Sequence, residues 1–311
     1  MEIQSAIVNG ALGSVGIALV ENLIRKGIKT YAVVYPEDVR ISLLPNEAEV
    51  IPCDMRNVSE LTQLIVEPVH AFFHLAWMGT IGIGRDDMLL QTENIRCAIE
   101  AVNIAKQLGC SVFVGVGSQA EHGRIEGLVK PESPCFPVTG YGMAKLCAGE
   151  MTRLICHKLG IRHVWARILS VYGPNDSPLS VTSIIIEKLL HGETPSLTAG
   201  EQKWDYLYAD DAAEGLYCMA KMGKDGAIYP LGSGQVKTLR EYFEIIRDTV
   251  NPNLPLGFGD IPYGENQVMY LQADLSQLIY DTGYKPKVPF EEGIKRTVNK
   301  RCKRLSEKRV V

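Results

Sequence analysis

The sequence predicts an α/β protein: a doubly wound parallel sheet with a smaller, interleaved C-terminal α/β domain. Three observations carry this expectation. Short apolar runs alternate with segments of helical period through the first half of the chain. The runs are apolar at consecutive positions, the pattern of strands covered on both faces. A turn holding Gly10, Gly13 and Gly16 separates the first run from the first helical segment.

Ser5–Asn9 (SAIVN) is the first strand, ended by Gly10. Residues 14–26 follow as a helix, with Val15, Ile17, Leu19, Val20, Leu23 and Ile24 at helical spacing. Residues 30–35 (TYAVVY) form the second strand, stopped by Pro36, which has no N–H to give a ladder. Glu49–Pro52 and 71–75 (AFFHL) are the next two strands. A long helix covers 88–108, a fifth strand 111–115 (SVFVG), a helix Gly140–Leu159 and a sixth strand 163–169 (HVWARIL). Beyond Tyr172-Gly173-Pro174 the pattern loosens, punctuated by Pro178 and Pro195. A helix fits 181–191, a strand and helix fit 206–222, and Ala227–Leu231 is expected to return to the sheet. Helices at 238–250 and 290–304 flank a Pro/Gly-rich stretch, 251–264. The expected division is 1–170 for the sheet domain, with 208–232 returning to it, and 171–311 mainly for a domain over the carboxyl edge of the sheet.

A chain of 311 residues that is 46% hydrophobic and 22% charged is not a disordered chain, a collagen or a coiled coil. The net charge is −4, yet residues 295–311 hold eight Lys/Arg against one Glu, so the rest of the chain sums to −11. An acidic body argues against a nucleic-acid binder, and the basic tail reads as the solvated face of a last helix. The eight cysteines include no C-x-x-C pair and read as reduced thiols of a cytoplasmic protein. No apolar run reaches the roughly 18–20 residues that a bilayer requires. A strand-like run begins within four residues of Met1, so neither a membrane span nor a targeting peptide is expected. His157, His163 and His191 lack ligand spacing, and no metal site is expected.

Gly10-Ala11-Leu12-Gly13-Ser14-Val15-Gly16 is G-x-x-G-x-x-G between a strand and a helix. Glycines let the backbone turn sharply and approach a ligand closely. The helix amino end presents free N–H groups to a pyrophosphate. In a strand–turn–helix–strand setting this predicts a Rossmann-type dinucleotide site, with Gly10, Leu12, Gly13, Ser14 and Val15 against the cofactor. A carboxylate at the end of the second strand would bond the ribose hydroxyls of NAD. The strand instead ends Val34-Tyr35-Pro36, and Arg40 is the nearest cation for a 2′-phosphate. The cofactor is therefore NAD or NADP, leaning to NADP, with Tyr35 and Arg40 at its adenosine end.

Tyr141 and Lys145 stand four apart on a helix, hence on one face. A nearby ammonium stabilises phenolate, which would make Tyr141 a general acid/base for a carbinol or ketone. Lys145 can also reach a cofactor ribose. Ser118 lies just past the fifth strand, at the edge where such sheets bind ligands, and can hold the substrate oxygen.

The glycine turn, Ser118, Tyr141 and Lys145 resemble the extended short-chain dehydrogenase/reductase superfamily, in its NAD-dependent sugar-nucleotide epimerase/dehydratase branch. Cys53-Asp54-Met55 resembles the family's G-D-h segment, and His74-Leu75-Ala76 its H-L-A segment. Residues 118–123 (SQAEHG) resemble its S-x-x-x-Y-G, and 166–174 (ARILSVYGP) its R-x-x-N-V-Y-G-P. Residues 204–211 (WDYLYADD) resemble its R-D-F-h-x-V-D-D, while Lys285-Pro286 and Glu291-Glu292-Gly293 resemble its closing motifs. The resemblance implies Asp54 and Met55 at the adenine, and Leu75, Ala76 and Leu169 beside the cofactor. It also implies a homodimer formed by the 88–108 and Gly140–Leu159 helices, which offer Leu89, Ile95 and Ile99, and Met143, Met151 and Leu154.

The departures select the reaction. A dehydratase of this family carries Asp-Glu after the catalytic hydroxyl residue, where this sequence has Gln119 and Ala120, which can neither protonate a leaving hydroxyl nor remove a proton. His122 stands at the family's Tyr and is read as a packing or backbone-bonded residue; Arg167 is read as structural. The family's Asn is Ser170, its phosphate-binding Arg is Trp204 with Lys203 before it, and a later Arg is absent from 264–267 (GENQ). Gln119, Ser170, Lys203 and Trp204 are the substrate-contacting candidates. The expected activity is hydride transfer at a carbinol or keto carbon of a sugar, nucleotide-linked by resemblance, as a 4-ketoreductase or C4-epimerase. A non-catalytic NAD(P)-binding sensor is the alternative, and the complete Ser/Tyr/Lys set argues against it.

Overall fold

The computed structural model describes residues 2–264 and 267–308. Seven parallel strands form the central sheet: β1 (Ser5–Asn9), β2 (Lys29–Val34), β3 (Glu49–Pro52), β4 (Ala71–His74), β5 (Val112–Ser118), β6 (Arg162–Ile168) and β7 (Ala227–Leu231). Their order is β7-β6-β5-β4-β1-β2-β3, so the chain leaves β1 for one edge and then crosses back to build the other. Ala227–Leu231 returns to the sheet as expected, pairing in parallel with β6 from Ala227↔Val164 to Leu231↔Ile168.

The long helices among the described residues are α1 (Ser14–Arg25), α2 (Met88–Gln107), α3 (Gly140–Leu159), α4 (Val181–Leu190), α5 (Ala209–Met222), α6 (Leu239–Val250) and α7 (Phe290–Lys308). α1, α2, α3 and α5 flank the sheet, while α4, α6 and α7 pack together in the C-terminal part. α1 packs beside α5, and α2 beside α3. Ala6 and Val8 of β1 join one core, while Ile7 joins another with Phe72 and Phe113, as alternate strand residues must when both faces are covered. A third core lies in the C-terminal part, where Tyr172, Tyr208, Tyr242 and Phe290 pack their rings together.

Two features differ from the sequence reading. β5 runs on to Ser118, three residues beyond the expected end, because Gly115 and Gly117 are strand residues made small by Trp165. A Cβ at Gly115 would run into the Trp165 ring, and one at Gly117 into the Glu121 carboxylate and the Trp165 indole nitrogen. Second, short parallel pairs absent from the sequence reading join the two parts of the chain. Gly127–Val129 pairs with Leu271–Ala273, and Ser170–Tyr172 with Tyr206–Tyr208. Of these four strands the sequence reading had only the one at Tyr206, since three residues carry almost no period.

Candidate active site and cofactor cleft

The glycines of the first turn divide by role. Gly10 has φ +90°, and a Cβ on it would meet the Ala76 nitrogen at 2.5 Å. A Cβ on Gly16 would meet the Gly10 carbonyl oxygen at 2.3 Å. Both therefore serve the close approach of α1 to β1 and to the chain leaving β4. Gly13 is different: its Cβ would meet only the Gly10 oxygen, at an ordinary 3.6 Å. Gly13 faces a cavity of about 250 Å³ along the carboxyl edge of β1, β2 and β4, lined also by Leu12, Tyr35, Met55, Ala76 and Trp77.

Gly13 is also the N-cap of α1 and supplies no side-chain bond to the helix end. The Ser14 hydroxyl beside it is buried without a partner. An open helix amino terminus with an orphaned hydroxyl is a fit for a pyrophosphate. Val15 and Leu75 lie behind the lining and pack on the core. Along the same cavity, two Asp-x-Arg clips cap short 3₁₀ turns. Asp38 accepts from Arg40 Nε at 2.9 Å and Nη2 at 2.6 Å, and Asp54 accepts from Arg56 Nε at 3.0 Å. Arg40 also reaches across to the Leu12 carbonyl at 3.3 Å. These arginines hold both carboxyls below the usual carboxylate range.

Ser118 ends β5, and its orientation is fixed by Glu121. The Glu121 carboxylate is fully buried, accepting from the Ser118 N–H at 2.8 Å, from Trp165 Nε1 at 3.0 Å and from Arg167 Nε at 2.6 Å. Arg167 is thus the structural arginine that the sequence reading expected. His122 bonds the Pro134 carbonyl through Nδ1 at 3.0 Å, also as expected.

α3 begins at Thr139, whose hydroxyl caps it by accepting from the Gly142 N–H. This brings the Tyr141 phenol within the influence of the Ser118 hydroxyl, which itself accepts from the Ala120 N–H at 3.2 Å. The charge logic differs from the sequence expectation. Burial raises the phenol pKa, and what opposes burial is the Ser118 hydrogen bond and the charge of Arg85. Lys145 instead turns away. Its Nζ donates to the Val116 carbonyl at 2.6 Å, lies 3.7 Å from the Trp77 ring centroid and stands 5.9 Å from the Tyr141 ring centroid. Burial lowers the Lys145 pKa to about 7, against the pull of Glu121.

Two residues here escaped the sequence reading. Trp77 sits between the cleft and Tyr141, edge-on to its ring at 6.2 Å, and is anchored by donating to Gln91 Oε1 at 2.9 Å. Arg85 lies over the Tyr141 ring at 4.4 Å. The available signal was position: both lie on the segment that leaves β4 at the ligand edge.

A larger cavity, about 800 Å³, opens in the C-terminal part. Leu169, Ser170 and Trp204 line it; Gln119 lines a smaller one beside Ser118. Lys203 lies outside both linings, exposed and near the Tyr270 ring. Glu265 and Asn266, of the segment read as lacking an Arg, fall outside the described residues.

Residues 6–232 match the NAD dependent epimerase/dehydratase family. The chain belongs to that family. It has the fold of the UDP-N-acetylglucosamine 4-epimerase of Methanobrevibacter ruminantium, with TM-score 0.88, 22% identity and cover of 98% of this chain and 100% of that one. It likewise has the fold of the Thermus thermophilus UDP-glucose 4-epimerase solved with NAD, with TM-score 0.84, 21% identity and cover of 96% and 99%. In sequence it is 28% identical over 207 residues to the dTDP-D-glucose 4,6-dehydratase of Mus musculus, spanning 63% of this chain and 57% of that protein.

As an epimerase/dehydratase-family member, the chain is an enzyme that uses a nicotinamide cofactor. Its substitutions at family motifs are coupled. Trp204, in place of the phosphate-binding Arg, donates from Nε1 to the Ser170 hydroxyl, in place of the Asn, at 2.7 Å. The pair closes on itself where a guanidinium would face a ligand. Of the described residues lining the larger cavity, only Lys188 is cationic, and Asp176 is also in the lining.

Proposed function

We propose that this enzyme moves hydride to or from a carbinol or keto carbon of a nucleotide-linked sugar, as a 4-ketoreductase or C4-epimerase. The observation that carries this is the placing of Ser118, at the end of β5, beside the buried Tyr141 phenol, with Gln119 and Ala120 rather than carboxylates following Ser118. Tyr141 gives its phenolic proton to the oxygen of a ketone as it becomes a carbinol, or takes the carbinol proton in the reverse direction. Ser118, held by Glu121, keeps that oxygen within reach. Gln119 and Ala120 supply no acid for a leaving hydroxyl, so elimination of water is not the reaction.

A bound nicotinamide dinucleotide supplies the hydride donor or acceptor. Gly13 and Ser14 would hold its pyrophosphate, Asp54 and Met55 its adenine, and Lys145 its nicotinamide ribose, with Ala76 and Leu169 along its length. We keep the lean to NADP: Arg40 and Arg56 both line the end proposed for the adenosine, and a 2′-phosphate would take the Arg40 fork from Asp38. Titrating NADPH and NADH by nicotinamide fluorescence tests this. Arg40→Ala is expected to weaken NADPH by about tenfold and NADH little. A hundredfold preference of the parent for NADH overturns the lean.

The part from 171 to 311 would hold the sugar nucleotide, and Ser170, Trp204, Lys203 and Gln119 are its proposed contacts. The eight cysteines are unpaired, consistent with a cytoplasmic setting. Among the described residues no helix is long and apolar enough to cross a membrane.

The deciding experiment is Tyr141→Phe, which keeps the ring and removes the proton. Turnover with 4-keto nucleotide sugars is expected to fall by about 10²–10⁴, while cofactor binding changes little. Near-normal turnover would rule out Tyr141 as the proton donor, and a parent protein that binds cofactor but turns over none of these sugars would favour the sensor.

A further inference from the structure

Beside the catalytic pair lies a cavity of about 230 Å³, room for a sugar ring rather than for a dinucleotide. Gln119 and Ala120, directly after Ser118, line it, as does Thr139, two residues before Tyr141. Its other polar walls are Arg85 and Arg124. Arg85 rests on the Tyr141 ring and spends one N–H on the Thr80 carbonyl at 2.9 Å, leaving most of its five donors free. Arg124 is exposed and has no ion-pair partner among the described residues.

Among the described residues, the carboxylates on the flanking segments are engaged elsewhere. Asp86 accepts from the Gly140 N–H, Asp87 caps α2, Glu121 holds Arg167, and Glu126 accepts from the Met269 and Tyr270 N–H groups. No carboxylate lines this cavity among the described residues. Among the described residues, two guanidinium groups thus share a sugar-sized space with no carboxylate lining it, whereas the larger cavity is lined by one lysine and one aspartate. Positive charge is concentrated at the reacting end of the substrate.

We propose that the sugar this enzyme acts on carries an anionic substituent, carboxylate or phosphate, bound by Arg85 and Arg124. This rests on the sugar-nucleotide reading above and narrows its substrate class to acidic sugars. A guanidinium fork meets such an oxyanion with paired charge-assisted hydrogen bonds, which a neutral hydroxymethyl group cannot return. Arg85 touches the Tyr141 ring, so binding the anion also places the sugar against the proton donor.

The test is calorimetric titration of the cofactor-loaded protein with UDP, dTDP, UDP-glucose and UDP-glucuronate, for the parent and for Arg124→Gln. The parent is expected to bind UDP-glucuronate about tenfold or more tightly than UDP-glucose, with the gap collapsing in Arg124→Gln and UDP affinity unchanged. Equal binding of the two sugars, or a gap that survives in Arg124→Gln, overturns the subsite. UDP and dTDP report the nucleotide reading separately. If neither binds, that reading fails, and saturation-transfer NMR with free glucuronate, glucose 6-phosphate and glucose decides the subsite. Signals from either acidic sugar that vanish in Arg124→Gln support it, and the responding sugar tells carboxylate from phosphate. Equal signals from glucose overturn it.

Discussion

Lys145 is fully buried, its ammonium held by one carbonyl and the face of Trp77, and burial brings its pKa from an ordinary 10.5 to about 7. Desolvation penalises the charged form, and neither partner returns a full negative charge. The folded protein therefore releases this proton near pH 7, while the unfolded chain keeps it until about pH 10.5. Across that window the unfolded state binds more protons, so this group's contribution to stability rises with pH, and its full cost is present below pH 7. Urea unfolding of the cofactor-free protein between pH 6.5 and 9.5 checks it. Lys145→Met should gain on the parent most at pH 6.5, with the difference shrinking as pH rises. A pH-independent difference would exclude an ammonium under desolvation. The motif's spacing made Tyr141 and Lys145 legible as a pair on one helix face. Their charge states were not legible, because these depend on Trp77, Arg85 and Val116, which approach from other elements.

At the scale of elements, the turn from β1 into α1 shows what one glycine in three contributes to binding rather than to folding. Gly10 and Gly16 cannot carry a side chain, because backbone lies within 2.5 Å and 2.3 Å of the Cβ each would need. Gly13 has φ −68° and ψ 162°, values open to any residue, and its Cβ would have room. Gly13→Val should leave the fold intact and fill the space a pyrophosphate needs. NAD(P)⁺ affinity is expected to fall by about tenfold or more, as for inserting methyl groups into a close-fitting site, with an unchanged thermal transition of the ligand-free protein. Undiminished affinity would move the pyrophosphate elsewhere. The strand–turn–helix order of this half was legible because strands of five or six residues and helices of twelve or more carry a period. The seams at Gly127–Val129 and Ser170–Tyr172 were not. They hold through pairing with Leu271–Ala273 and Tyr206–Tyr208, partners that no local pattern reveals.

At the scale of the whole molecule, α2 and α3 pack against each other and still leave an apolar surface uncovered. Ala98, Ala101 and Val102 of α2 and Ala148 of α3 are fully buried, so the inner faces are already satisfied. Outward, Leu89 is 85% exposed, Met143 50%, Met151 43% and Leu154 53%. Ile99 and Leu146 are half-buried on the same helices. Apolar side chains on both the inner and outer faces exceed what packing on one sheet requires. Two such helices brought against their own copies about a twofold axis would form a four-helix bundle, each exposed side chain meeting its symmetry-related surface. We therefore propose a homodimer through this face. Light scattering at micromolar concentration should report about twice the chain mass of 34.3 kDa. Replacing Met151 and Leu154 together by Glu sets like charges across the axis where apolar contact was expected, on a face that is solvent-exposed in the single chain. That variant should scatter as a monomer while keeping cofactor affinity, since both positions lie well along α3 from Tyr141. A parent protein that stays at the monomer mass across dilution would leave these side chains as solvent-facing residues of a single chain.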